Sequence, residues 1–218
     1  MRKSARLPIE ELQPLLAQPP DPPAPVDWAA LFGNDRPVEM EIGFGKGLFL
    51  LHQSVARPDI NFVGIEIVRK YQLFTATRLV KAACTNARLY STDARAFLKT
   101  CVASDCLQTV HIYFPDPWWK TRHHKRRLFT AEFAEQVLRI LRPGGQLSFA
   151  TDVQDYFTMV TGILSAMPAW QTLPALEPGT PAHDLDYLTN FERKFRIEGR
   201  PIYRLRLAKP SSPSEPEA

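Results

Sequence analysis

The sequence predicts an α/β fold with a doubly wound, mostly parallel sheet and an antiparallel edge strand. Segments patterned like strands and like helices alternate at least five times between residues 38 and 167. An acidic residue ends each of five predicted strands: Glu41, Glu66, Asp93, Asp116 and Asp152. Because right-handed crossovers join parallel strands, their carboxyl ends meet at one edge of the sheet, where ligands bind. Residues 202–207 alternate apolar and polar side chains, which predicts the antiparallel strand.

Composition places the chain among ordinary globular proteins. It has 218 residues, of which 44% are hydrophobic and 23% charged, enough for one domain with a substantial core. Its three cysteines form no C-x-x-C pair, which argues against a disulfide framework or a cysteine zinc site. We therefore expect no metal and a reducing, cytoplasmic location. No apolar run is long enough to span a membrane, and no apolar segment follows the basic N-terminus as it would in a signal peptide.

We divide the chain by composition into three segments. Residues 1–37 are rich in proline and are expected to be extended, polyproline-like or partly disordered. Residues 38–208 contain the predicted sheet and its helices. Residues 209–218 form a polar tail that we expect to be disordered.

The elements of the central segment follow from periodicity and from turn residues. Strands are predicted at residues 38–42, 61–66, 87–90, 109–112 and 146–150. Helices are predicted at residues 48–56, 69–84, 94–102, 131–141 and 153–167. The second helix has Leu73, Ala76 and Leu79 on one face. Thr130 can cap the fourth helix, and the Arg-Pro-Gly-Gly sequence at 142–145 ends it.

The first strand leads into a glycine turn that predicts a small-molecule site. Gly43, Gly45 and Gly47 allow positive φ and close approach of a ligand to the backbone, although a tight turn alone would also explain them. Their spacing differs from G-x-G-x-x-G, which disfavours a dinucleotide. No phosphate-binding loop of the G-x-x-x-x-G-K-[ST] type is present.

The strand-end acids narrow the chemistry of that ligand. Glu66 stands where an acid can accept hydrogen bonds from ribose hydroxyls. Asp93 is suited to an adenine amino group, and Glu41 to a cationic group. Each acid alone is explained as well by a helix cap or a surface residue, but the set indicates ribose, adenine and a positive charge. This combination favours S-adenosylmethionine over ATP.

A dense basic segment follows the fourth strand. Pro115 and Pro117 flank Asp116, two tryptophans come next, and the basic run continues to Arg127. An acid on a stiff strand end, beside aromatic surface and clustered cations, suits a nucleic-acid base and its phosphates. The alternative is a solvated charge run on the surface.

Five motifs together resemble the tRNA (guanine-N7-)-methyltransferase family, whose members are class I S-adenosylmethionine-dependent enzymes with a Rossmann-like fold. They are EIGFGKG at 41–47, GIE at 64–66, PDPW at 115–118, RHHKRRL at 122–128 and TNFE at 189–192. The resemblance covers residues 39–192. It implies methyl transfer from S-adenosylmethionine to N7 of the variable-loop guanosine of tRNA.

The resemblance also implies roles for particular residues. Asp116 would be central to the active site. Cofactor contacts would come from Glu41, Gly43, Gly45, Gly47, Glu66, Asp93 and Asp116. Substrate contacts would come from Lys120, Asp152, Thr189, Asn190, Phe191 and Glu192. RNA contacts would come from Arg122, His123, His124, Lys125, Arg126 and Arg127.

One departure from the family pattern is visible, because Trp119 and Thr121 stand where the family usually has proline and lysine. We expect no obligatory protein partner and either a monomer or a homodimer.

Three other functions are compatible with parts of the pattern. A DNA adenine amino-methyltransferase would carry two prolines after the acid, whereas Pro117 is single here. A non-catalytic RNA-binding module would be expected to lose the glycines and acids that this chain retains. A small-molecule methyltransferase would leave the basic segment unexplained.

Overall fold

The computed structural model describes residues 6–118, 122, 127–175 and 189–211, which form one eight-stranded sheet in the order β1-β4-β3-β2-β5-β6-β8-β7. The strands are β1 (Leu16–Ala17), β2 (Val38–Ile42), β3 (Asn61–Glu66), β4 (Ala87–Ser91), β5 (Leu107–Tyr113), β6 (Leu141–Thr151), β7 (Gln171–Leu173) and β8 (Tyr203–Ala208). Strands β1 to β6 pair in parallel, β8 is antiparallel to β6, and β7 is antiparallel to β8. The predicted α/β fold with an antiparallel edge is confirmed.

Eight helices accompany these strands in the described part of the chain. They are α1 (Ile9–Leu12), α2 (Trp28–Phe32), α3 (Leu48–Ala56), α4 (Arg69–Lys81), α5 (Ala94–Cys101), α6 (Ala131–Ile140), α7 (Gln154–Ser165) and α8 (Asn190–Ile197). All five predicted helices are present. Helix α4 ends three residues early because Ala83 takes φ +54°, and the Cys84 amide then bonds to the Leu79 carbonyl, as in a left-handed C-cap.

Two elements near the C-terminus, α8 and β7, were not predicted. The start of α8 carries a capping-box signal, because the Thr189 hydroxyl accepts a hydrogen bond from the Glu192 amide and the motif reads T-x-x-E. Strand β7 lies outside β8, so the alternating segment at 203–208 is the second strand from the edge.

Strand β6 begins at Leu141, five residues earlier than predicted. The Gly144 amide bonds to the Lys209 carbonyl, and the Lys209 amide bonds back to Gly145. The Arg-Pro-Gly-Gly turn is therefore paired with the chain after β8 and continues the strand.

The proline-rich N-terminal segment contains more regular structure than the sequence suggested. Helix α1 and the following 3₁₀ turn bury Leu12 and Leu15 against Leu73 and Leu79 of α4, and β1 pairs with β4. These leucines account for the difference, because burying an apolar side chain offsets the cost of ordering the segment. The division of the chain into three segments stays a prediction.

The sheet is covered on both faces, and every residue of β2 and β3 is buried. One core cluster surrounds Met40, Val110 and Phe133, and a second surrounds Phe44, Leu50 and Phe62. Coverage on both faces is typical of parallel sheets and leaves the strand ends as the place for a ligand. No helix in the described residues has the length and apolar character needed to cross a membrane.

Candidate cofactor and RNA site

The point where the strand order reverses lies between β2 and β5. Strand β2 pairs with β3 on one side and with β5 on the other. The helices that follow β2 and β5 therefore pack on opposite faces of the sheet and leave a crevice between the two strand ends. The five predicted acids stand at or just beyond the carboxyl ends of β2 to β6, on the same edge of the sheet. The structure thus brings together the set that the sequence singled out.

The three glycines of the turn after β2 have different surroundings. Gly43 and Gly45 take φ +79° and +50°, and a Cβ built on either would meet no atom of the described residues within 4 Å. A Cβ on Gly47 would lie 2.1 Å from Cγ2 of Thr75. Gly43 and Gly45 therefore border open space for a ligand, whereas Gly47 allows α3 to pack against α4.

This contrast gives a test with an internal control. We expect Gly45→Val to lower affinity for S-adenosylmethionine more than tenfold, with about 1–2 kcal/mol of backbone strain. We expect Gly47→Val to destabilise the fold by about 3 kcal/mol or more, because its side chain collides with Thr75. Thermal melts and calorimetric titration of each variant measure both quantities. Near-normal cofactor affinity in Gly45→Val would show that the open space is not the cofactor site.

Glu66 connects the glycine turn to the end of β3. Its Oε2 accepts a hydrogen bond from the Gly45 amide at 2.9 Å, and its Oε1 accepts one from the Val68 amide at 3.0 Å. The carboxylate is thereby oriented, and each oxygen keeps a second lone pair for a hydroxyl group. Directly after it, Ile67 is 68% exposed and offers apolar surface at the carboxyl end of β3, a feature that the sequence did not reveal.

Glu41 has a buried carboxyl group that can accept a further hydrogen bond. Its side chain receives the Leu50 amide from the first turn of α3, but Oε2 has no hydrogen-bond partner among the described residues. Burial, and then the charge of Glu66, raises the pKa of Glu41 to about 8. A buried acceptor without a partner is costly, so a cation placed against Oε2 would be bound favourably.

Cofactor binding should therefore depend on pH. A bound cation stabilises the ionised form of Glu41 and lowers its pKa, so binding releases a proton at pH values between that lowered pKa and about 8. We expect affinity for S-adenosylmethionine to rise with pH, by up to about tenfold per unit, and to level off above about pH 8. Glu41→Gln should abolish this rise. Equal pH profiles for the two proteins, measured by calorimetry, would contradict the assignment.

Asp93 is exposed and caps α5. Its Oδ1 accepts hydrogen bonds from the Arg95 and Ala96 amides at 2.9 and 3.1 Å. The helix-cap role is thus present, and the contact with adenine stays a prediction.

The chain around Asp116 has an unusual backbone. Phe114 and Trp118 take φ +51° and +46°, a region that bulky residues rarely adopt. Two prolines lie between them, and Asp116 is exposed. No described residue donates a hydrogen bond to its carboxylate. Strained backbone of this kind is typical of functional sites.

The predicted RNA contacts fall into three groups. Four of them lie outside the described residues: His123, His124, Lys125 and Arg126. The predicted substrate contact Lys120 and its neighbours Trp119 and Thr121 also lie outside them. Arg122 is exposed, as an RNA contact would be. Arg127 bonds within the protein, because its Nε donates to the Pro117 carbonyl at 2.8 Å.

The predicted substrate contacts also differ in their surroundings. Asp152 forms an ion pair with Arg200, whose guanidinium lies 4.2 Å from the Phe195 ring centroid. Glu192 is 1% exposed and its Oε1 accepts from Arg204 Nη2 at 2.7 Å.

On α8, the helix that carries Glu192, Thr189 serves as the cap. Asn190 and Phe191 are exposed, and the Phe191 ring lies 6.2 Å from that of Phe114. Asn190 and Phe191 are therefore open to a substrate at the end of β5, and the substrate roles of all four stay predictions.

The sequence did not predict a buried polar network that lies beneath the site. Glu39 on β2, 2% exposed, accepts from Arg57 Nη2 at 2.6 Å and lies 2.8 Å from His111 Nε2. His111 Nδ1 lies 2.9 Å from the Tyr113 hydroxyl, which in turn lies 3.1 Å from Ser148 Oγ. The signal was present, since Glu39 lies between Val38 and Met40, and His111 lies between Val110 and Ile112.

The network has a definite charge state. Burial alone would raise the pKa of Glu39, but hydrogen bonds from His111 and Arg57 outweigh it and lower the pKa to about 2. Burial lowers the pKa of His111, so its ring is neutral. Ionised Glu39 with cationic Arg57 therefore anchors a line of hydrogen bonds across β2, β5 and β6.

A protein family and several individual proteins resemble this chain in sequence over most of its length. A family model described as "Putative methyltransferase" matches residues 35–205. A tRNA (guanine-N(7)-)-methyltransferase of Rhodopirellula baltica is 41% identical over 204 residues, 91% of this chain and 75% of that protein. The protein of the same name from Geobacter metallireducens is 36% identical over 197 residues, 89% of this chain and 92% of the relative.

Solved structures share the fold at much lower identity. The 16S rRNA (adenine(1408)-N(1))-methyltransferase from Catenulisporales acidiphilia gives a TM-score of 0.57 at 20% identity, over 87% of this chain and 95% of that one. A SAM-dependent O-methyltransferase from Thermotoga maritima gives 0.54 at 12% identity, over 86% and 64%. These neighbours confirm the Rossmann-like methyltransferase fold, and the sequence matches along most of the chain show that it belongs to the tRNA (guanine-N(7)-)-methyltransferase family.

Proposed function

We propose that this protein transfers a methyl group from S-adenosylmethionine to N7 of a guanosine in tRNA. The observation that carries the proposal is the buried Glu41 Oε2, to which no described residue donates a hydrogen bond, at the switch point where Gly43 and Gly45 leave open space. This arrangement fits a cationic adenosyl cofactor. The methyl acceptor, N7 of a guanine in tRNA, is inferred from the names of the relatives.

The residues that would hold the cofactor are those at the ends of β2, β3 and β4. Glu41 would bind its cationic part, Glu66 the ribose hydroxyls and Asp93 the adenine amino group, with Ile67 beneath the adenine ring. When bound, S-adenosylmethionine supplies an electrophilic methyl group on a sulfonium.

The protein's contribution to the reaction would be positioning and electrostatics. Guanine N7 already carries an in-plane lone pair, so no residue has to remove a proton before attack. The base becomes cationic as the methyl is transferred. A carboxylate that accepts hydrogen bonds from guanine N1 and its amino group would stabilise that charge.

Asp116 is the best candidate for this carboxylate. Asp152 is already paired with Arg200, and Glu192 is buried against Arg204, whereas Asp116 is exposed at the end of β5. A guanosine in a stacked or tertiary contact would have to be extruded before N7 could reach this position. Arg122 and the basic residues beside it would bind the surrounding phosphates.

The finer statements about location and assembly are also proposals. We propose that the protein works in the cytoplasm, as a monomer or a homodimer without an obligatory partner. Cys84, Cys101 and Cys106 are free thiols, which suits a reducing compartment.

The function is tested by incubating the full chain with an unmodified tRNA transcript and methyl-labelled S-adenosylmethionine, followed by nucleoside analysis. We expect the label in 7-methylguanosine. A transcript with adenosine in place of the variable-loop guanosine, and a DNA duplex, serve as control substrates. Label in a methylated adenine, or labelling of DNA, would contradict the proposal, and cofactor binding without transfer would favour an RNA-binding module.

A further inference from the structure

Arg127 has a different environment from that of the exposed Arg122 in the same basic segment. Its Nε donates to the Pro117 carbonyl at 2.8 Å, and its Nη1 lies 3.2 Å from Met159 Sδ. Its guanidinium lies over the ring of Tyr156, 5.5 Å from the centroid. Its own carbonyl accepts a hydrogen bond from Arg95 Nη2. The side chain and the backbone of Arg127 are therefore both fastened to the body of the protein.

These contacts connect the two ends of the segment that contains the basic run. Pro117 stands at its beginning and Arg127 at its end, ten positions apart, so the hydrogen bond between them closes the segment. Tyr156, which lies beneath the guanidinium, is fully buried on α7. A phosphate that recruited Arg127 would have to break these contacts and leave the Pro117 carbonyl without its donor.

The Pro117 carbonyl is the group of the Asp116 region that Arg127 restrains directly. The proline rings fix φ at residues 115 and 117, and a residue that precedes proline is itself restricted. Neither effect fixes ψ of Pro117, which sets the direction of its carbonyl and leads into Trp118 at φ +46°. A planar guanidinium that holds this carbonyl fixes that torsion.

Asp116 shares an electrostatic neighbourhood with Arg127. Burial raises the pKa of Tyr156, the positive charges of Arg127 and Arg95 oppose that rise, and the charge of Asp116 adds to it. The three charged side chains thus all act on one buried hydroxyl group. A shift of Arg127 would change the field around Asp116 as well as the backbone beside it.

We propose that Arg127 is a positioning residue, which closes the segment 117–127 and holds Asp116 in the orientation needed for methyl transfer, and that it does not bind a tRNA phosphate. This inference rests on the proposed function. It assigns different tasks to two arginines that the family pattern places together.

Two measurements separate positioning from phosphate binding. One is the single-turnover rate of methyl transfer at saturating tRNA, and the other is the slope of log affinity for tRNA against log salt. For Arg127→Ala we expect the rate to fall roughly 10- to 100-fold, with the salt slope unchanged. For Arg122→Ala we expect the slope to flatten by about 0.7–0.9, the loss of one phosphate contact. Lys99→Ala, an exposed cation on α5, should change neither quantity.

Arg127→Lys keeps the test decisive if the alanine variant does not fold. Lysine binds phosphate as a point charge but cannot reproduce the planar donor and its stacking on Tyr156. We expect Arg127→Lys to fold, to keep the wild-type salt slope and to lose most of the rate. Circular dichroism and thermal melts confirm that the variants are folded.

The outcomes distinguish this inference from the function on which it rests. A wild-type protein that methylates no guanosine would overturn both. If the wild type is active, a full rate in Arg127→Lys would overturn the positioning role alone. A flattened slope with a full rate in Arg127→Ala would do the same and would identify Arg127 as a phosphate ligand.

Discussion

Replacing Asp116 with asparagine is expected to slow methyl transfer by about two to three orders of magnitude, with the protein still folded. Asparagine keeps the size of the side chain but replaces one acceptor oxygen with a donor, and it removes the negative charge that would face the cationic guanine. Because the side chain is exposed, its loss should not alter the core.

The measurement is a single-turnover rate with saturating tRNA and cofactor, because it isolates the chemical step from binding. Asp59→Asn changes an exposed carboxylate in the turn before β3, at the opposite edge of the sheet, and should react at the wild-type rate. A folded Asp116→Asn protein within a few-fold of wild type would remove Asp116 from the mechanism. Carboxylates such as Asp152 would then have to be tested.

The second large effect concerns stability. Glu39→Gln is expected to lower the free energy of unfolding by about 3 kcal/mol at neutral pH, the value that corresponds to a pKa lowered from 4.5 to about 2. Glutamine matches the protonated carboxyl in shape but leaves Arg57 without its counter-ion inside the network. Removing one partner of a buried ion pair is costly for this reason.

The pH dependence of this effect has a definite sign. The pKa of Glu39 is lower in the folded protein, so its contribution is complete above its unfolded pKa of 4.5 and is lost as pH falls towards 2. The difference between wild type and Glu39→Gln should therefore be constant from pH 7 to 5 and shrink by more than half near pH 3.

Urea unfolding at several pH values measures this difference. Glu132→Gln is the matched control, because Glu132 pairs with Lys99 at 3.3 Å on the surface, and its loss should cost less than about 1 kcal/mol. A difference for Glu39→Gln that stayed constant down to pH 3 would show that its charge does not stabilise the fold.

Much of the fold could be predicted from local patterns. The alternation of strands and helices, the cap at Thr130 and the acids at the strand ends all depend on residues close together in the chain. Parallel strands connected by helices then place Glu41, Glu66 and Asp116 at one edge without further information, because the topology of such sheets is restricted. The motifs between residues 41 and 192 indicated the family from the sequence alone, because each is a short contiguous string of residues.

The tertiary structure decided which of the candidate side chains are free to meet a ligand. The sequence placed Arg122 and Arg127 in one basic run, and Asp152 and Glu192 in one substrate set. In the fold, Arg127, Asp152 and Glu192 are bonded to Pro117, Arg200 and Arg204, whereas Arg122 and Asp116 are exposed. The network of Glu39, His111 and Ser148 likewise joins three strands that are far apart in sequence. A hydrogen bond is formed with whichever group the fold brings within about 3 Å, and residues distant in the chain supply that group.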